Sequence, residues 1–305
     1  MRILVTGVTG QIGGALVPCL QGLGTLIPVD KTMLDLSKLS VIAETLDRIA
    51  PDLVVNPAAY TAVDKAEDEP DLAMRINGEA PGILARWAMR HDVPLIHFST
   101  DYVYAGTGEA PWREEDEAGP LSVYGLSKLA GENEIRKSGC CFLIVRTCWV
   151  YGAQGKNFLR TILRLAQERK ELHVVCDQVG APSSAALIAD AVSGMIVDGL
   201  DCLRNRSAHA NGLVHVAAFG ETSWHGFACA IVEGLKNRGI SLAVEHVIPI
   251  LTDKYPTRAR RPHNSRLDLT RLQTVFGIVP RHWRTALEPE LDKVARDTIS
   301  TQSLG

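Results

Sequence analysis

No apolar run in this 305-residue chain approaches the ~20 residues that a membrane-spanning helix needs, so no membrane partner is expected. An excess of charge of one sign is also missing. Lysine and arginine number 32 against 35 aspartate and glutamate, a formal net charge of -3. That balance gives no reason to expect a nucleic acid as partner. The seven cysteines lack metal-type spacing, and Cys140 and Cys141 are adjacent. Buried thiols in a reducing compartment fit them better than disulfides. Met1 and Arg2 lead straight into an apolar segment, without the pattern of a signal peptide, and a cytoplasmic location is expected. The Asn205-Arg206-Ser207 triplet matches a glycosylation pattern and reads, in that compartment, as coincidence. Repeats and low-complexity segments are absent too. What is present, 46% hydrophobic and 22% charged residues, is ordinary globular composition. It suffices for one large α/β domain or for a large and a small lobe.

Short apolar runs alternate with longer amphipathic stretches. Residues 3–5, 26–29, 53–55, 95–98 and 142–145 read as buried strands, and helical patterns lie near 11–23, 38–49, 71–91 and 124–137. Strand–helix alternation with wholly apolar strands predicts a parallel sheet covered on both faces. Later, helices near 157–169, 184–198, 223–237, 268–275 and 285–296 accompany strands near 172–175 and 213–216. Glu114 to Glu117 reads as a solvated acidic loop. In such sheets ligands bind beyond the carboxyl ends of the strands. The turn after strand one, Asp30, the segment 56–61 and the segment 99–102 all fall on that edge.

The segment Gly7-Val8-Thr9-Gly10-Gln11-Ile12-Gly13 follows a strand and opens a helix. Gly7 permits a tight turn, Gly10 lets the backbone approach a pyrophosphate, and Gly13 allows close helix–strand packing. A diphosphate would then meet the free N–H groups at the helix start, including those of Gln11 and Ile12. A plain βα turn also needs glycine, but the strand, the helix and Asp30 about twenty residues on point to a dinucleotide site. Asp30 suits the adenosine ribose hydroxyls and so NADH; Lys31 beside it can neutralise a 2′-phosphate, so NADPH stays open. As a bare strand-end residue Asp30 would only shape a turn. Asp35 and Leu36 are candidates to lie against the adenine. The reading is therefore an α/β protein with a Rossmann-type doubly wound parallel sheet. Residues 1–150 form the NAD(P)-binding unit, to which segments near 177–218 return. Residues 151–305 form mostly a smaller C-terminal substrate-binding lobe.

Tyr124 and Lys128, four apart, share one helix face. An ammonium beside a phenol favours phenolate and lowers its pKa from the ordinary ~10. Such a phenol can hand a proton to a carbonyl oxygen as hydride reaches the carbon. The same spacing occurs in solvated helical pairs; the glycine turn and Ser99-Thr100-Asp101 at the end of an apolar run single this one out. Thr100, otherwise a strand-end cap, can donate to the same oxygen and complete a two-donor clamp. Lys128 would also hold the nicotinamide ribose. Trp149, just beyond the fifth apolar run, can offer an apolar wall to a ligand, although a Trp is by default a packing residue. Arg258, Arg260 and Arg261 can bind the phosphate oxygens of a ligand, or form a solvated basic loop; Pro256 and Pro262 hold the segment in shape.

These residues resemble the extended short-chain dehydrogenase/reductase family, and within it the branch that reduces dTDP-4-dehydro-L-rhamnose to dTDP-L-rhamnose. The resemblance covers nearly the whole chain: GVTGQIG at 7–13, NPAAYTAVDKAE at 56–67, RIN ending at Asn77, FSTDYVY at 98–104, YGLSKLAGE at 124–132, RTCWVYG at 146–152, APSSAALIAD at 181–190 and YPTRARRPHNSRLD at 255–268. The glycine turn and YxxxK belong to the superfamily at large; AAYTAVDKAE, STDYVY and ARRPHNSRLD are specific to the branch. The resemblance implies an NAD(P)H-dependent oxidoreductase of nucleotide-sugar biosynthesis, of the kind that serves lipopolysaccharide synthesis, with a dTDP-sugar as substrate. It implies that Ala59, Tyr60 and Thr61 contact the cofactor, and that Thr100, Asp101 and Trp149 contact the sugar.

In one respect the chain departs from the pattern. Some members dimerise around a magnesium ion held by glutamates, and the matching positions here are read as Ala15, Ala186 and Arg284. None offers a carboxylate to a hard cation, so no structural magnesium is expected and the chain should be a monomer or a metal-independent dimer. Two alternatives remain. A non-catalytic relative serves as the regulatory subunit of methionine adenosyltransferase, but a binding module needs no proton donor. An epimerase, or a reductase of another 6-deoxy nucleotide sugar, shares the motifs. A dehydratase would want a carboxylate pair beside Thr100, where only Asp101 stands.

Overall fold

Six short strands form the central sheet of the computed structural model, which describes residues 1–302. In chain order they are β1 (Arg2–Val5), β2 (Thr25–Pro28), β3 (Leu53–Asn56), β4 (Leu95–Thr100), β5 (Phe142–Thr147) and β6 (Leu213–His215). Their spatial order is β6-β5-β4-β3-β1-β2, and every pairing is parallel. The chain leaves β1 toward β2, then crosses back to lay β3 on the other side. Where that direction reverses, at the carboxyl ends of β1 and β3, a doubly wound sheet opens a crevice.

Side chains alternate across the sheet with a period of two. Ile3, Val5, Val55, Ile96 and Val145 face one side, against Leu16 and Leu20 of α1 (Gln11–Leu20) and Ile188 and Val192 of the helix Ala185–Ile196. Leu272 and Phe276, from the helix Thr270–Phe276, pack in the same cluster. Leu4, Val54, Leu95 and Ile144 face the other side. There they meet Leu46 of α2 (Ile42–Ile49), Leu84 of α3 (Ala80–His91) and Ile135 of α4 (Val123–Ser138). Each such side chain, fully buried, contributes about 1.5–3 kcal/mol. With both faces covered, buried polar residues gather at the carboxyl edge: Asn56, His97, Ser99 and Thr100.

A second core lies beyond β5. Leu159 and Ile162 of the helix Phe158–Glu168 pack with Phe227, Ile231 and Leu235 of the helix Trp224–Lys236 and with Leu287 and Leu291 of the last helix, Trp283–Gln302. A two-stranded parallel sheet, Glu171–Val175 with His246–Ile250, covers it. The strand His246–Ile250 and the helix Leu200–His209 were not expected from the sequence. Pro249 interrupts the first, and polar residues surround the second.

Glu114 is a correction. It is not on a solvated loop but buried, and its Oε1 accepts the His215 N–H at 3.0 Å. The edge strand β6 leaves that amide without a strand partner, and the carboxylate supplies one. Burial raises the Glu114 pKa, and Glu115 pairs with Arg271. All seven cysteines are free thiols, and among the described residues no helix is long and apolar enough to cross a membrane.

Candidate active site

A cavity of about 790 Å³ runs along the carboxyl edge of the sheet. At its centre the turn after β1 is stripped of side chains by necessity. Gly7 has φ +57, and a Cβ there would lie 2.8 Å from Ala58 Cα; a Cβ on Gly13 would lie 2.2 Å from the Gly7 carbonyl oxygen. Gly10 caps α1 without a side chain, so the N–H groups of Gln11, Ile12 and Gly13 have no partner within the helix. The Gln11 Oε1 is buried and unpartnered. A cradle that any Cβ would fill, facing free donors at the positive end of a helix, fits a dinucleotide diphosphate.

Lys31, Leu34, Asp35 and Leu36 line the adjoining wall. Asp35 Oδ1 accepts from the backbone and hydroxyl of Ser37 at 3.0 and 2.7 Å. Asp30 lies just outside that lining. Of the two roles open to it, the turn role is the one seen. Its Oδ1 accepts from Thr32 N, Thr32 Oγ1 and Met33 N at 2.8, 2.6 and 3.2 Å, bonds that lower its pKa. On the opposite side Ala59, Tyr60 and Thr61 form a loop held by Asn77. The Asn77 amide accepts from Tyr60 N at 2.8 Å and donates to Tyr60 O and Ser127 Oγ, both at 3.0 Å. Asn77 can reach them because residues Arg75–Glu79 form a π-helical turn, a common device for aiming a side chain at a site. The Tyr60 hydroxyl itself donates to Glu69 at 2.7 Å.

The helix α4 carries Tyr124 and Lys128. Ser122 caps its start by accepting the Gly125 N–H at 3.2 Å, and Gly139 ends it at φ +73. A Cβ on Gly125 would lie 2.2 Å from Tyr102 O, so only glycine lets this helix rest on the chain leaving β4. That contact brings Tyr124, Lys128 and Thr100 to one wall of the cavity. Lys128 is buried. Its Nζ donates to Phe98 O at 2.7 Å and lies 3.2 Å from His97 Nε2. Burial lowers the ammonium to about 8, against the pull of Glu132.

Two expectations fail here. The Tyr124 phenol is not drawn toward neutrality. Burial and then the charge of Asp101 push it up, and the neighbouring Thr100 hydroxyl only partly offsets them. Desolvating a phenolate outweighs a cation whose hydrogen bonds run to Phe98 and His97 of β4. Nor is Thr100 a free second donor. Its hydroxyl donates to Asp101 Oδ1 at 3.0 Å and accepts from Tyr102 N at 3.2 Å, and a hydroxyl has one proton. Asp101 is itself buried, which raises its carboxyl to about 6 against the hydroxyls of Ser265 and Thr100. Its Oδ2, Ser99 Oγ and Thr147 Oγ1 are buried without partners, and all three residues line the cavity. Buried polar atoms left unpaired are costly unless something else satisfies them.

Trp149, just past β5, lines the same cavity with φ +47. A left-handed backbone at a bulky residue costs roughly 1–3 kcal/mol. A stack on Trp224, at 3.6 Å between centroids and 10° between planes, holds the ring in place, and Phe158 packs on Trp224 at 4.6 Å. The arginines are placed differently from expectation. Arg258 pairs with Asp68, and Arg261 bonds Asp64 Oδ2 at 2.5 Å and Tyr102 Oη at 3.1 Å. Neither lines the cavity, and Arg260 is exposed. Carboxylates from the segment after the Ala59–Thr61 loop satisfy the two guanidiniums, so the basic segment clips the chain near 255–262 over that loop.

A family model described as the RmlD substrate binding domain matches residues 1–296. This chain belongs to that family. Among its RmlD relatives is the dTDP-4-dehydrorhamnose reductase of Shigella flexneri, 42% identical over 302 residues that cover 98% of this chain and 99% of the relative. The reductase of the same name from Burkholderia thailandensis is 44% identical over 291 residues, or 94% of this chain and 97% of that one. Among solved structures, the Bacillus anthracis dTDP-4-dehydrorhamnose reductase in complex with NADP matches with a TM-score of 0.83. It is 32% identical and covers 96% of this chain and 99% of that one.

Several residues of this RmlD-family site escaped the sequence reading. Trp224 and Phe158 pack against the second core, and nothing local marks them as partners of Trp149. His97 and Asn56 sit inside apolar strands, where their polarity was the one available signal. Ser265 reaches Asp101 from across the chain. As for metals, Arg284 stacks over the Trp283 ring at 4.7 Å, and among the described residues no cluster of three or more His, Cys, Asp or Glu could hold an ion.

Proposed function

We propose that this chain reduces the C4 keto group of dTDP-4-dehydro-L-rhamnose to give dTDP-L-rhamnose, with NADPH or NADH as reductant. One observation supports this most: Thr100, Tyr124, Lys128 and Trp149 share the cavity that opens onto the side-chain-free turn at Gly7–Gly13. Gly7, Gly10, Gln11, Ile12 and Gly13 would hold the diphosphate, Asp35, Leu36 and the second oxygen of Asp30 the adenosine end, and Ala59, Tyr60 and Thr61 the opposite wall. The reduced nicotinamide supplies the hydride. Tyr124, kept protonated by burial, gives its proton to the oxygen of C4; the alkoxide that forms is a strong base, so a phenol of raised pKa still serves as its acid. Lys128 holds the ribose with an N–H that Phe98 and His97 leave over, and its charge steadies the phenolate left behind. Asp101 and Thr147 offer unpaired oxygens to sugar hydroxyls, and Trp149 walls the apolar side of the ring.

Mixing the protein with the keto-sugar nucleotide and NADPH should consume reduced nicotinamide in step with product. Tyr124→Phe should lose at least ~100-fold in kcat with an unchanged circular dichroism spectrum. A phenylalanine variant as fast as the parent would refute the assignment of the proton donor.

A further inference from the structure

Behind Lys128 a buried chain of hydrogen bonds crosses the sheet, and the reaction as derived above makes no use of it. His97 is wholly buried, with Nε2 3.2 Å from Lys128 Nζ and Nδ1 3.0 Å from Asn56 Nδ2. Asn56 Oδ1 lies 2.6 Å from Thr6 Oγ1, which in turn accepts the Ala58 N–H at 3.3 Å. Asn56 and His97 are register partners on β3 and β4, and Thr6 follows β1. The bar therefore spans three adjacent strand ends, from the loop under Gly7 to the lysine.

The surroundings of the ammonium limit what this bar can do. Glu132, on the lysine's own helix, is held by both arms of Arg146 from β5. Tyr124 shares the helix, Asp101 lies beyond β4, and among the described residues no carboxylate bonds Nζ. His97 is neutral, since burial and then the charge of Lys128 drive its pKa well below the ordinary value. A neutral imidazole has one N–H and one lone pair, and an ammonium only donates. With Lys128 charged, Nε2 must be the lone pair, Nδ1 must carry the proton, and Asn56 must turn its oxygen to Nδ1. With Asn56 as placed, its Nδ2 toward Nδ1 and its Oδ1 toward Thr6, Nε2 carries the proton and only a neutral amine can accept it; the charged lysine requires the amide turned over, with Nδ2 toward Thr6 Oγ1. The two ends of an amide fill the same space, so both arrangements fit the same heavy-atom positions.

We propose that His97, steered by Asn56, is a positioning residue for Lys128: its Nε2 lone pair anchors the ammonium against the cavity wall and keeps it charged while Tyr124 gives up its proton. This rests on the role given to Lys128 in the reductase reading. The ring tautomer is read without turnover, so failure of either idea is seen separately.

The first test uses the whole protein labelled with ¹⁵N-histidine and bound to NADPH. At neutral pH the His97 ring should show a protonated Nδ1 and a bare Nε2; a proton on Nε2 overturns the proposal. The second compares two variants with the parent. His97→Leu removes the acceptor. Its kcat should fall roughly 10- to 100-fold, with KM for the sugar steady. The alkaline limb of its kcat profile should move about 1–2 pH units toward acid, the size of a lost hydrogen bond to a charge. His97→Gln, whose Oε1 reaches where Nε2 was, should restore most of the rate and the parent profile. Equal profiles for the two variants would mean that His97 only fills space. If His97→Leu does not fold, the parent's spectrum and the glutamine variant's profile still decide.

Discussion

Replacing Asp101 by asparagine keeps its shape and removes a charge that the fold accommodates poorly. The side chain is 2% exposed, its Oδ2 has no partner, and burial lifts its carboxyl from 3.8 to about 6. In the unfolded chain the group ionises near its ordinary value. Between there and about 6 the native state keeps a proton that the unfolded state has released, so stability falls as pH rises through that window and stays lower above it. A shift of about 2 units at 1.36 kcal/mol each comes to about 3 kcal/mol. Asparagine has no such titration, and its amide is neutral where the carboxylate oxygen is buried without a partner. Asp101→Asn should therefore be more stable than the parent by about 3 kcal/mol above roughly pH 7, or ~5 °C in Tm. The gap should close below about pH 4. Chemical denaturation of both proteins at the two pH values measures it. If the variant is no more stable at the higher pH, or the gap does not depend on pH, the carboxylate is not an uncompensated buried charge. Turnover should move the opposite way, since the oxygen replaced is one proposed to bind the sugar.

Two further outcomes are expected. Glu132→Gln strands the buried Arg146 guanidinium, now held by both carboxylate oxygens and by Tyr104 Oη at 2.6 Å; it should cost about 3–5 kcal/mol, and denaturation curves that overlay the parent's would refute that. Gly13→Ala places a methyl against the Gly7 carbonyl, where neither backbone can yield. It should destabilise the protein by about 1–3 kcal/mol and weaken NADPH binding at least tenfold by fluorescence titration, whereas unchanged affinity would mean that the turn does not hold the diphosphate.

Local pattern carried much of this protein. The five strands of the first half, the helices between them, the glycine turn and the four-residue step from Tyr124 to Lys128 all follow from spacing, because strand and helix periods are properties of neighbouring residues. So did the edge on which the site lies, since a parallel sheet gathers its polar strand ends there. The extent of burial was not legible. Tyr124 and Lys128 were read as a pair in which the cation tunes the phenol. The fold buries the lysine, half-buries the tyrosine, turns the lysine toward His97, and leaves the phenol more basic than in water. Thr100 was assigned a proton to give, and the next residue in the chain takes it. Arg261 was read as a phosphate ligand, yet Asp64, 197 residues away, occupies it. Which groups are dry, and which partner arrives first, depend on segments far apart in the chain that only the folded packing brings together.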